Sequence, residues 1–151
     1  MVPDFGLSLP TPNPTVPSLS VLAKRIGPSI LVGHSQSGIY PFQAVAIDKK
    51  DIVRIISIEP IACPSAAGDV SPYTGTPILL LFGDNTAVSP KWDRTVKSCS
   101  DFVNAVQKAG GSAKIVLLPQ IGIKGNSHMV MQDTNNLEVA DFLIDWISKN
   151  S

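Results

Sequence analysis

Four short, unbroken apolar runs set the limits on what this chain can fold into. They are SILVGH (Ser29 to His34), IVRIISIEP (Ile52 to Pro60), PILLLFGD (Pro77 to Asp84) and AKIVLLP (Ala113 to Pro119). Each is mostly continuous rather than alternating in polarity, which is the pattern of a strand covered on both faces. Helical patterns separate them. Val16, Leu19, Ala23 and Ile26 share one face of a segment stopped by Gly27, and Val96, Cys99, Val103 and Val106 share a face of a helix ending at Gly110-Gly111. Leu137, Ala140, Ile144 and Ile147 form a stripe on the last helix, where Asn135, three residues before Glu138, predicts a capping arrangement. The stretch from Gly38 to Ile47 is apolar nearly all round and predicts a buried helix with Pro41 in its first turn. Strand, helix, strand, loop, strand, helix, strand, loop, helix is an α/β order. It predicts a three-layer αβα sandwich with about four parallel strands joined by right-handed crossovers.

The 151 residues make one domain's worth of chain, 44% apolar, with 12 basic and 12 acidic residues. The longest basic run is Lys49-Lys50, which argues against a nucleic-acid face. No apolar stretch reaches the roughly 18–20 residues that span a bilayer. Residues 1–14 read as a proline-rich surface segment, without the basic and apolar regions of a signal peptide. Cys63 and Cys99 leave two readings open: two separate buried thiols, or one disulfide contributing about 3–4 kcal/mol. No CxxC or HxxxH spacing is present, so no zinc or other metal is expected.

The stretch that carries chemistry is Gly33-His34-Ser35-Gln36-Ser37-Gly38, between the first strand and the buried helix. A nucleophile elbow needs that context: a tight strand-to-helix turn with small neighbours, exposing the Ser35 hydroxyl at the strand's end. The backbone N–H of Gln36 would then be an oxyanion-hole donor. The usual G-x-S-x-G pattern places glycine where this chain has Ser37, with Gly38 one step later.

A serine nucleophile needs a base and an orienting carboxylate. Of two histidines, His34 adjoins the serine and reads as local packing. His128 lies in a polar loop, Gly122 to His128, after the last strand, where such an elbow's base is expected. Two carboxylates compete to orient it. Asp84 ends the third strand, whereas Glu59 ends the second, the one directly after the elbow. A carboxylate closing an apolar strand is costly without a partner, and the longer Glu side chain reaches further, so Glu59 is preferred.

Taken together, GHSQSGIYPFQAVA, SIEP with Cys63 close behind, LLLFGD and GNSHMVMQDTNNLEVADFLIDWI resemble a group of secreted α/β-hydrolase esterases. That group pairs a GHSQSG elbow with a Glu acid on the following strand, and the likeness runs from about Thr11 to Asn150. The resemblance implies a partial α/β-hydrolase fold, Ser35, Glu59 and His128 as the triad, and a Cys63–Cys99 disulfide in an oxidising, extracellular compartment. Members of the group are about twice as long. The resemblance therefore implies that this single domain corresponds to their C-terminal half. The first strands, part of the pocket and a second oxyanion donor would lie in the other half. On that reading the strand from Ser29 to His34 exposes an apolar edge open to association with a partner or a second copy.

The expected activity is hydrolysis of a small carboxylic ester through an acyl-enzyme, with no cofactor. The alternative is a catalytically silent fragment acting by association, and transfer of the acyl group to another acceptor is a third outcome.

Overall fold

In the computed structural model, which describes residues 13–150, the four apolar runs are four parallel strands: β1 Ser29–His34, β2 Ile52–Ile58, β3 Ile78–Phe82 and β4 Ala113–Leu117. They lie side by side in chain order. Most of the proline-rich start, residues 1–12, falls outside the described residues. The helices are α1 Thr15–Ile26, α2 Tyr40–Ile47, α3 Pro90–Lys108 and α4 Asn136–Lys149.

Sequential order and right-handed crossovers together decide the layering. When every parallel step goes the same way across a sheet, the connecting helices must lie on one face. So α2 and α3, with α1, cover one side, while α4, which follows the last strand, covers the other. Period-two side-chain direction then explains the unbroken apolar runs. Along β3, Ile78, Leu80 and Phe82 face α2 and α3, whereas Leu79 and Leu81 face α4, and all five are buried. Phe42, Tyr73 and Phe102 meet edge to face at 5.3–6.1 Å between ring centres. Burial of Tyr73 pushes its phenol above the ordinary value, with Asp69 nearby adding to the effect. Cys63 and Cys99 are joined in a disulfide across 36 residues, tying the loop after β2 to α3.

Two helices depart in part from the faces the sequence predicts, although on α1 Leu19 packs against the core with Val16 and Ala23. On α1, Val16 and Ala23 are buried as expected, but Ser20 shares their face and donates to the Ala44 carbonyl at 2.9 Å. Ile26 has turned out to solvent, 67% exposed. On α4 the predicted stripe is buried only in part, with Ile147 packed against the core. Val139 and Trp146 are buried with Phe142 and Leu143 beside them, while Leu137 and Ile144 are exposed. The helix has two apolar faces, and the one with the large rings removes more area from water. The buried helix after β1 also starts later than predicted. A 3₁₀ turn, Ser35–Ile39, comes first, and Pro41 lies in the opening turn of α2.

Strand β1 ends the sheet among the described residues, pairing with β2 alone. Val32, on the α4 side, is 59% exposed, while Ile30 on the same face packs against the α4-side cluster. No helix among the described residues is long and apolar enough to cross a membrane.

Candidate active site

The C-terminal ends of β1, β2 and β3 lie level, with His34 beside Ile58 and Ile58 beside Leu81. The residues that follow these ends, Ser35, Glu59 and Gly83-Asp84, therefore emerge next to one another. This is where parallel α/β sheets place their chemistry.

At the end of β1 the backbone folds back sharply. His34 is extended, Ser35 takes a left-handed φ of 56°, and the 3₁₀ turn follows at once. Two glycines make this possible. A Cβ on Gly33 would stand 2.6 Å from the Ser37 carbonyl oxygen, and one on Gly38 would stand 2.7 Å from Ser57 Oγ and 2.9 Å from Pro60. Position 37 has no such demand. Ser37 donates its hydroxyl to the His34 carbonyl at 2.8 Å and so closes the turn. The glycine the geometry requires is Gly38, which accounts for the one-residue departure from the common pattern. Gln36 is the second residue of the turn, and an i→i+3 ladder leaves its N–H outside the internal hydrogen bonds.

Glu59 also has a left-handed backbone, φ 49°. A non-glycine residue held there costs on the order of 1–3 kcal/mol, so two of them at adjacent strand ends are a local store of strain. The Glu59 side chain is only 4% exposed. One carboxylate oxygen accepts from the Gly83 N–H, and the other lies 3.2 Å from His128 Nδ1. A buried carboxylate of this kind is acceptor-only when ionised, so His128 donates through Nδ1–H. His128 Nε2 then accepts from the Ser35 hydroxyl at 2.8 Å. The structure thus brings Ser35, His128 and Glu59 into one continuous hydrogen-bonded line.

Asp84 stands elsewhere. Its two oxygens accept from the backbone N–H groups of Gly125 (2.9 Å) and Asn126 (3.1 Å), and its own N–H donates to the Asn126 carbonyl at 3.2 Å. It holds the loop that carries His128 rather than His128 itself. Asp133 grips the same loop from the other side, accepting from the Ser127 N–H (2.7 Å) and hydroxyl (2.8 Å). Asn135 stands at the N-cap of α4 as predicted, but its side chain makes no capping hydrogen bond. Its side chain donates to the Lys124 carbonyl and exchanges hydrogen bonds with Asn126. The loop's demand for partners outweighs the cap, because an irregular segment must find its hydrogen bonds one by one.

His34 does more than local packing. Its Nε2–H donates to the His128 carbonyl at 2.8 Å, and the two rings stand 4.8 Å apart. Trp92 of α3 lies against the His128 ring at 5.2 Å. Nothing in the sequence signals the contacts that Asp133, Asn135, His34 and Trp92 make, since the type of a side chain does not name its partner. The His34 bond is worth about 1 kcal/mol. His34→Phe, which keeps a ring but loses the donor, is therefore expected to slow phosphonylation of Ser35 by about fivefold to tenfold, and His34→Gln to recover part of the loss. Equal rates in all three proteins would show that the contact does not position His128.

The structure of a bacterial esterase superposes on this chain with a TM-score of 0.90 and 50% sequence identity. The match covers 95% of this chain and 45% of the esterase. A probable secreted lipase, phiG, of a fungal species (strain ATCC 74256) is 25% identical over 178 residues, covering 86% of this chain and 48% of the lipase. The chain spans about half the length of each of these relatives. No protein-family model matches it. The parallel sheet with helices on both faces, superposing on an esterase, is a partial α/β-hydrolase fold.

Proposed function

We propose that this chain carries the triad-bearing part of a serine carboxylic-ester hydrolase, with Ser35 as nucleophile, His128 as general base and Glu59 as the orienting acid. The observation that carries this reading is the unbroken line from the Ser35 hydroxyl through His128 to a buried, ionisable Glu59. The likeness to an esterase and a lipase supports the same class.

In the reaction, Ser35 Oγ attacks the ester carbonyl as His128 Nε2 takes its proton. Glu59 fixes the tautomer in which Nε2 is free to accept, and it stabilises the imidazolium that forms. The Gln36 N–H donates to the developing oxyanion, an interaction that contributes about 3–4 kcal/mol when preorganised. His128 returns the proton to the departing alkoxide, and the alcohol leaves with Ser35 acylated. Water then attacks the acyl-enzyme with His128 again as base, releasing the acid. The disulfide and the name of the fungal relative favour a secreted setting.

Incubation of the folded chain with a fluorophosphonate, followed by peptide mass spectrometry, tests this directly. An adduct on Ser35 that is absent from Ser35→Ala is the expected result. A folded chain that takes no label would replace the esterase reading with that of a silent form acting through association.

A further inference from the structure

Beside the site runs a groove that the reaction above does not use. Two cavities of about 530 and 230 Å³ share Cys63, Arg94 and Ser98 and so form one continuous cleft. One wall is the loop after β2, and the other is the face of α3 bearing Lys91, Arg94 and Ser98. The Cys63–Cys99 disulfide joins the two walls, which fixes their separation.

Three features give the groove a use. It begins next to Ser35: Ile61, which lines its near end, donates its N–H to the Ser35 carbonyl at 3.2 Å. It is cationic: Lys91, Arg94 and Lys97 line it against one carboxylate, Asp101. The chain as a whole balances 12 basic with 12 acidic residues, so this is a local concentration and no reflection of overall charge. Finally, none of the three cations has an ion-pair partner among the described residues.

We infer that this groove seats an anionic group carried by the ester, a few bonds from the scissile carbonyl; this rests on the esterase reading above. Cys63 lies two residues beyond Ile61, a span of at most about 7 Å. Ile61 shares its cavity with Lys91 and Arg94, so a carboxylate at the end of a short methylene chain is expected to meet these cations while its ester lies at Ser35. The substrate class is the monoester of a dicarboxylic acid.

The test compares p-nitrophenyl monoesters of glutaric to suberic acid with the same compounds capped as neutral methyl esters. Wild-type protein is expected to favour the anionic member by about tenfold in kcat/KM at low ionic strength, and less as salt is added. Arg94→Glu is expected to erase or invert that ratio, while Lys108→Glu, at the far end of the same helix, keeps it. An unchanged ratio in Arg94→Glu, or no wild-type preference, overturns the proposal. If neither ester is turned over and Ser35 takes no fluorophosphonate label, the esterase reading has failed on its own. Without turnover the groove is judged by titrating monomethyl suberate at constant ionic strength and following backbone amide shifts. Shifts confined to residues 61–67 and 91–101, and lost in Arg94→Glu, support an anion site; their absence overturns it.

Discussion

Glu59→Gln is expected to slow acylation of Ser35 by about 10⁴-fold while leaving the protein folded. The size follows from the tautomer. A glutamine at position 59 can still accept from the Gly83 N–H through its carbonyl oxygen, which leaves its amide NH₂ facing His128 Nδ1. Two donors cannot meet, so Nδ1 must become the acceptor and the ring proton moves to Nε2. His128 would then offer Ser35 a donor where a base is needed. The fold has little reason to suffer, because a neutral isostere replaces a charge that is costly to bury. Asp84→Asn is the control. It weakens charge-assisted bonds to Gly125 and Asn126 and is expected to cost about tenfold, through a less firmly held loop. Rates of phosphonylation measured for both variants decide between the two carboxylates. A larger loss in Asp84→Asn would reverse their roles.

Removing the disulfide should produce the largest change in stability. A cross-link across 36 residues restricts the unfolded chain by about 4 kcal/mol in the chain-entropy account. For a domain of this size that corresponds to about 10 °C in Tm. The comparison to make is Cys63→Ala/Cys99→Ala against wild type by thermal unfolding. Alanine is the right replacement because Cys99 is fully buried and a serine hydroxyl there would need a partner. A shift of under about 2 °C would mean that the bond constrains little of the unfolded chain. The same double variant should also blunt the selectivity of the groove, whose walls the bond joins.

What the sequence made legible was whatever repeats locally. The four runs of continuous apolar residues became strands because both faces of a parallel sheet are covered, and that requirement is written in every second residue. The turn after β1 was legible at Gly33, which answers to backbone atoms a few residues away, whereas the demand on Gly38 comes from Ser57 and Pro60 on the neighbouring strand's end. The buried face of α4 was legible only in part. Its sequence offers two apolar stripes, and only the space over the sheet selects the one with Phe142 and Trp146. The roles of Asp84, Asp133, Asn135 and His34 were hidden for a related reason. A carboxylate or an imidazole in the text shows its chemistry but not its partner. The nearest partners of His34 and Asp84 lie 94 and 41 residues along the chain.

The level strand ends also fix when the molecule acquires its chemistry. Ser35 lies 93 residues from His128, and Glu59 lies 69 from it. The turn at Ser35 can form with β1, β2 and α2 alone, but His128 arrives only after β4 has docked and its loop has been gripped from both sides. Contacts so distant in sequence are among the last a chain can afford during folding. Reactivity at Ser35 is therefore a clock for the final step: a refolding chain should recover its secondary structure first and its capacity for labelling last.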